Sequence, residues 1–262
     1  MKDNLNKLFS SLLENHVKEN NSLFSDIPFE MTSDISCYQR LYEQADIDFI
    51  TSYFTRGFNV SILTGPARDL IELSFYAFDL LLHAWLSELP VEREITAFGK
   101  NILSAVNINN LKQRNQTIEK IINDRINKDT LAVLNASQKV NHEVHRMMGL
   151  LRFSPNKEGV FIAKCEPDHF ILPALKEFFS LRFGKTAWSI IDEKRQLCLA
   201  SNGQVKIMNN NFTKTASAKS DDWEELWKHY HKTINNEDRN NPDLQRQFMP
   251  KRYWKYLPEV EE

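Results

Sequence analysis

Apolar residues along the first half of the chain recur at three- and four-residue intervals. Leu5, Leu8, Phe9, Leu12, Leu13 and Val17 fall on one helical face, and Leu70, Ile71, Leu73, Phe75, Leu80, Leu81 and Trp85 repeat that spacing further on. The pattern predicts a mainly helical region over residues 1 to 150, packed as a bundle. Residues 107–116 hold four asparagines and little apolar periodicity, which predicts a loop, with a helix resuming over Thr117–Ile126.

After Phe153 the period changes. Ser154–Gly159 is a turn cluster, followed by a strand over Val160–Cys165. A helix is predicted over Leu172–Phe183, with Pro173 in its first turn and Gly184 just past its end. Ala187–Ile191, Leu197–Ala200 and Gln204–Met208 read as three strands, the last two joined at Asn202-Gly203 by a type I′ turn that needs positive φ at both residues. The polar stretch Asn209–Asp222 predicts a mobile loop. Beyond it, Trp223, Leu226, Trp227, Tyr230 and Ile234 share one face of a helix capped by Asp221 or Asp222, the aromatics being expected in the core. Asn241-Pro242 opens a last helical segment that Pro250 breaks in two. The fold class is therefore α+β: a helical region 1–150, then an α+β region 151–262 with a small antiparallel meander flanked by helices, as two domains or one continuous one.

Composition narrows the chemistry. A chain of 262 residues that is 42% hydrophobic can bury a sizeable core. The longest apolar stretch, Leu80–Leu86, is too short for a membrane span, and no secretory h-region opens the chain, so the expected compartment is the cytoplasm. Cys37, Cys165 and Cys198 are too dispersed for a disulfide framework, an iron–sulfur cluster or another thiolate metal site. Glycine is sparse, and no phosphate loop, dinucleotide fingerprint, nucleophile elbow or zinc-deaminase motif is present, so no cofactor is expected. A net charge of −2 provides no global pull on nucleic acid, so any such binding must come from a local patch.

The closing run from Arg239 to Tyr256 supplies one. It sets Arg239, Arg246, Lys251, Arg252 and Lys255 against a single acid, Asp243, and interleaves Phe248, Tyr253, Trp254 and Tyr256. Cations suit phosphates, and aromatic faces suit unpaired bases. Candidate nucleic-acid contacts are Arg146, Arg152, Arg182, Arg239, Gln245, Arg246, Arg252, Tyr253 and Trp254. The competing reading docks Tyr253, Trp254 and Leu257 on the core and leaves Lys251 and Lys255 in water.

His145, Gly149 and Arg152 share a helical face that suits an anion, unless Arg152 instead pairs with Glu166 or Asp192. Glu166, Asp168 and His169 offer acid–base groups within four residues, against the alternative that Asp168 caps the following helix. His145, Asp168 and His169 are the candidate catalytic residues. His229 and His231, two apart on a helix, cannot readily share a metal.

Four stretches carry a family resemblance: Glu143–Phe153, Glu166–Pro173 with Arg182-Phe183, Asp192 with Arg195, and the closing Met249-Pro-Lys-Arg-Tyr-Trp-Lys-Tyr-Leu257. Over residues 140 to 259 the chain resembles the bacterial radical-SAM-linked "probable DNA metabolism" proteins. That resemblance implies an association with DNA repair or modification beside a radical-SAM protein, and a kinship with domains fused to uracil-DNA glycosylases. With no cluster-binding cysteines of its own, this chain would leave radical chemistry to the partner.

The expectation is a nucleic-acid-associated accessory protein that holds DNA or a nucleotide for a radical-SAM partner. The alternatives are a cofactor-free, glycosidase-like enzyme using His145, Asp168 and His169, or a purely structural subunit.

Overall fold

The computed structural model describes residues 44–55, 58–63, 65–207, 221–234 and 241–258. The predicted N-terminal helix, the polar loop as far as residue 220, and Arg239 lie outside the described residues. The chain forms two compact units: residues 1–49 with 57–141, and residues 50–56 with 142–262.

The described part of the first unit is helical. After the opening turns of α1 (Gln44–Tyr53) come α2 (Gly65–Leu73), α3 (Phe75–Leu86), α4 (Glu92–Leu103), α5 (Leu111–Asn123) and the first part of α6 (Lys128–Leu150). Leu70 and Ile71 of α2, Phe78, Leu81 and Leu82 of α3, and Phe98 and Ile102 of α4 form the core where these three helices pack. Ser74 starts α3 by accepting the Ala77 N–H at 3.2 Å, an N-cap its hydroxyl is suited to.

The loop expected over 107–116 is shorter than predicted. α5 already begins at Leu111, with the Asn110 side chain accepting the Gln113 N–H at 3.1 Å. Only Ile118 and Ile122 of α5 are buried, so a narrow stripe carries the helix and the apolar period is too sparse to show its first turns.

The second unit is built on a five-stranded sheet: β1 (Ser154–Pro155), β2 (Phe161–Cys165), β3 (Trp188–Asp192), β4 (Leu197–Ala200) and β5 (Val205–Ile207), in that spatial order. β3, β4 and β5 form the predicted antiparallel meander. β2 lies parallel to β3, with Phe161 opposite Trp188 and Cys165 opposite Asp192, and α7 (Leu172–Phe183) makes the crossover. Every residue of β3 is buried, as its central place requires.

The β4–β5 turn differs from the type I′ expectation. Gly203 donates to the Ala200 carbonyl at 2.8 Å, and Ala200 N–H donates to Gln204 at 3.0 Å, giving a three-residue loop. Gly203 has φ of 79°, while Asn202 is not among the positive-φ residues. Asn202 instead accepts the Gln204 N–H on its side chain at 3.0 Å, which stabilises the longer loop.

α8 (Asp221–Ile234), α9 (Pro242–Phe248) and a 3₁₀ turn over Lys251–Tyr256 complete the unit. Asn241 caps α9 through the Leu244 N–H at 3.0 Å. The apolar face predicted on α8 is not a core face: Leu226, Tyr230 and Ile234 are 59%, 52% and 58% exposed. Periodicity shows that a stripe exists, not what covers it.

Candidate nucleic-acid interface

The four stretches singled out in the sequence meet around one carboxylate. Glu143 lies on the face of α6 that also carries Val140, Val144 and Met147, and is only 2% exposed. Its carboxylate accepts the backbone N–H groups of Asp168 and His169, each at 2.8 Å, and the Tyr253 hydroxyl. A buried carboxylate with three donors is satisfied and rigid. Burial, reinforced by Glu143, holds the Tyr253 phenol well above its usual pKa.

Arg195 secures the other side of the same loop. It pairs with Asp192 at 2.8 Å, both side chains being almost fully buried, and donates to the carbonyls of Pro167 at 3.1 Å and Asp168 at 2.8 Å. Two buried groups, Glu143 and Arg195, thus hold the N–H and C=O faces of the loop that leads into α7.

Over this loop the closing segment fastens. Arg252 pairs with the Asp168 carboxylate at 2.6 Å and donates to the Tyr253 hydroxyl at 2.9 Å, Lys255 pairs with Glu166, and the Tyr256 hydroxyl donates to Glu193 at 2.9 Å. Tyr253 and Leu257 are buried, and Trp254, partly buried, donates its indole N–H to Met249 at 2.7 Å. The segment is a clasp.

One sequence alternative changes. Asp168 does not cap α7: that helix starts after Ile171 with no side-chain cap, and the Asp168 carboxylate is turned to Arg252. Of the two acids considered for Arg152, Glu166 pairs with Lys255 and Asp192 with Arg195, while Arg152 donates to the Gly149 carbonyl at 2.8 Å and lies 5.2 Å over the Trp227 ring.

Arg152 thereby lines a groove of about 310 Å³, whose walls also include Phe153, Phe161, Arg182, Phe183 and Trp227. Leu151, Ser154 and Pro258 complete the lining, and none of these described residues is acidic. Phe183 is the hub of the floor, with ring centroids 4.7 Å from Phe153, 5.6 Å from Phe161 and 6.1 Å from the buried Trp188. The floor is thus anchored in the core, and the guanidinium groups come from the end of α6 and the last turn of α7. Such a surface offers flat faces for stacking and positive charge for an anion.

Of the predicted nucleic-acid contacts, Arg152 and Arg182 converge on this groove. Arg252, Tyr253 and Trp254 belong to the clasp. Arg246 is exposed on α9, 3.4 Å from Asp243 of its own helix, and Arg146 is half-buried on α6. Gln245 falls in α9, but its side chain, like Arg239 as a whole, lies outside the described set.

The three predicted catalytic residues are not assembled into one constellation. His145 is exposed, two helical positions on from the inward Glu143, whereas Asp168 and His169 lie in the loop that Glu143 holds. Among the described residues no group of three or more His, Cys, Asp or Glu side chains could hold a metal ion, and no helix is long and apolar enough to cross a membrane.

Sequence reasoning did not select Glu143 or Trp227 as site residues. A carboxylate on an apolar helical face was the available signal for Glu143, whereas Trp227 falls on an aromatic stripe that reads as core.

The second unit is therefore an α+β module with a clasped loop and a cationic aromatic groove. Residues 101–259 match the family described as a domain of unknown function, DUF4130, and the chain belongs to that family. The match begins in α4, well before the stretch from 140 where the sequence resemblance is strongest. No curated protein and no solved structure matches the chain.

Proposed function

We propose that this protein is a nucleic-acid-associated accessory component of a DNA repair or modification system, and that it engages nucleic acid through the Arg152–Arg182 groove. The observation that carries the reading is the groove's lining: two guanidinium groups and four aromatic rings, with no carboxylate among the described residues. Such a lining suits a phosphate beside a base and is repelled by neither. The clasp arginine, Arg252, pairs with Asp168 and fastens the tail, whereas the groove sets guanidinium groups beside aromatic rings. Action beside a radical-SAM partner rests on the sequence resemblance and on the dispersed cysteines, which leave cluster chemistry to another chain.

The test is fluorescence-anisotropy binding of the whole protein to labelled DNA across a salt series, with Arg182→Ala and Arg246→Ala. Affinity that falls with salt, and a slope reduced by Arg182→Ala but not by Arg246→Ala, supports the groove. An absence of binding at low salt would refute the proposal.

A further inference from the structure

Resting on that reading, the face of α6 that leads to the groove bears on which form of nucleic acid it takes. His142, Arg146 and Gly149 stand at i, i+4 and i+7, and His145, Gly149 and Arg152 repeat the interval, so two rows meet at Gly149. His142, His145 and Gly149 are exposed or partly so, and Arg146 is half-buried. Glu143 is the one acid between His142 and Arg152, and it is turned into the core.

Gly149 is informative because packing does not require it. Its φ is not positive, and a Cβ added there would meet nothing within 4 Å. It is the penultimate residue of α6, and its carbonyl accepts the Arg152 guanidinium at 2.8 Å. Its missing side chain leaves room between cationic neighbours, and the Arg152 guanidinium covers the Gly149 carbonyl that would otherwise face an incoming phosphate. The row ends at Arg152, whose guanidinium already lies over Trp227 in the groove.

We infer that the ligand is single-stranded: one unpaired base enters the aromatic groove, and the phosphates on one side of it run back along α6 past Arg152, Gly149 and Arg146. A paired base turns its faces to its stacked neighbours, so aromatic walls can reach it only after it has left the stack. A groove of about 310 Å³ has the scale of a small-molecule site, not of a cleft that takes a duplex. Duplex binding through phosphates alone needs no aromatic walls.

The test uses the full chain with labelled oligothymidine of increasing length, the matching duplex, an abasic strand of equal length, and thymidine monophosphate. Oligothymidine is expected to bind about tenfold or more tightly than the duplex or the abasic strand, and to outbind the mononucleotide. Trp227→Ala is expected to lose about tenfold or more of the single-strand affinity. Arg146→Gln should lower the magnitude of the salt slope by about 0.7, the increment for one phosphate contact on a single strand. Gly149→Glu puts a carboxylate into the row, and an added Cβ there meets nothing within 4 Å, so it should weaken binding while the unfolding midpoint changes little, the gain in helix propensity offsetting a carboxylate at the helix C-terminus, which separates a lost contact from a lost fold. Equal binding of duplex and single strand, of abasic and intact strand, or of mononucleotide and oligomer would overturn the inference and leave the proposed function standing. Silence from every DNA probe would remove both.

Discussion

Glu143→Gln is the sharpest probe of the clasp, because it preserves shape and removes only the charge and one acceptor. One carboxylate oxygen receives the Asp168 N–H and the Tyr253 hydroxyl, and the other receives the His169 N–H. A glutamine amide can accept at one of these positions only. In its gentler orientation the oxygen keeps Asp168 and Tyr253, and the NH₂ group faces the His169 N–H, donor against donor. One hydrogen bond to a charged acceptor is lost, which costs about 1.5–3 kcal/mol, and the two that remain fall to roughly half their strength as the charge goes. Removing a buried charge returns part of its desolvation cost, so the net loss is about 2 kcal/mol. Urea unfolding followed by tryptophan fluorescence suits the measurement, since four of the five tryptophans (188, 223, 227 and 254) lie in the second unit. With an m-value of about 2 kcal/mol/M, the midpoint should fall by about 1 M at constant m. Tyr253→Phe should lose about 1 kcal/mol alone and less in the Glu143→Gln background, because both act on one bond. A Glu143→Gln midpoint within about 0.2 M of the parent, or additive effects of the pair, would refute the view that the loop and tail are locked by this carboxylate.

Arg195→Ala removes the countercharge of the fully buried Asp192 and the donors to two loop carbonyls, so it should destabilise the second unit by about 3–5 kcal/mol; a loss under about 1 kcal/mol in the same urea assay would contradict the buried pairing. Gly203→Ala forces a side chain onto a φ of 79° and into the Lys176 side chain, whose ammonium holds the Thr55 hydroxyl at 2.8 Å. A cost of about 1–2 kcal/mol is expected, and a stabilised variant would count against the observed turn. Alkaline pH should weaken the fold. Burial pushes the Cys198 thiol from its ordinary 9.0 up to about 11, burial and then Asp192 raise Cys165, and burial with Glu143 or Glu193 raises Tyr253 and Tyr256 above their ordinary 10.0. These groups keep their protons in the fold while the unfolded chain releases them, so their stabilisation is intact below about pH 9 and declines as pH rises through about 9 to 11, with the tyrosines extending the loss. A thermal midpoint flat from about pH 8 to 11 would exclude this.

Much of the second unit was legible because local rules decide it. The α7 span follows from Pro173 at its start and Gly184 at its end, and the observed limits, Leu172–Phe183, are those predicted. β4 ran where its apolar run placed it, and Asn241-Pro242 opened α9 as an N-cap pair should. α5 was harder to see, since two buried isoleucines leave too weak a period to outvote a cluster of asparagines. The turn at Asn202-Gly203 was misread because a dipeptide preference says which φ values are easy, whereas strand register decides how many residues the turn must contain.

The candidate site divides along the same line. Sequence by itself determined the ingredients: helices before residue 150, a small sheet after it, no cysteine cluster, and cations set among aromatics. Only the tertiary structure decided where each cation lies. Arg252 and Lys255 are matched by Asp168 and Glu166, which lie far from them in sequence, while Arg152 and Arg182 meet across aromatic rings contributed by α7, α8, β2 and the link from α6 to β1. Glu143 became the centre of the clasp through backbone donors twenty-five and twenty-six residues away. The physical reason is one of range: helix caps, turns and periodicity act over a few residues and can be read in order along the chain, but a charge finds its partner in space, after the sheet and its crossover have brought distant segments together.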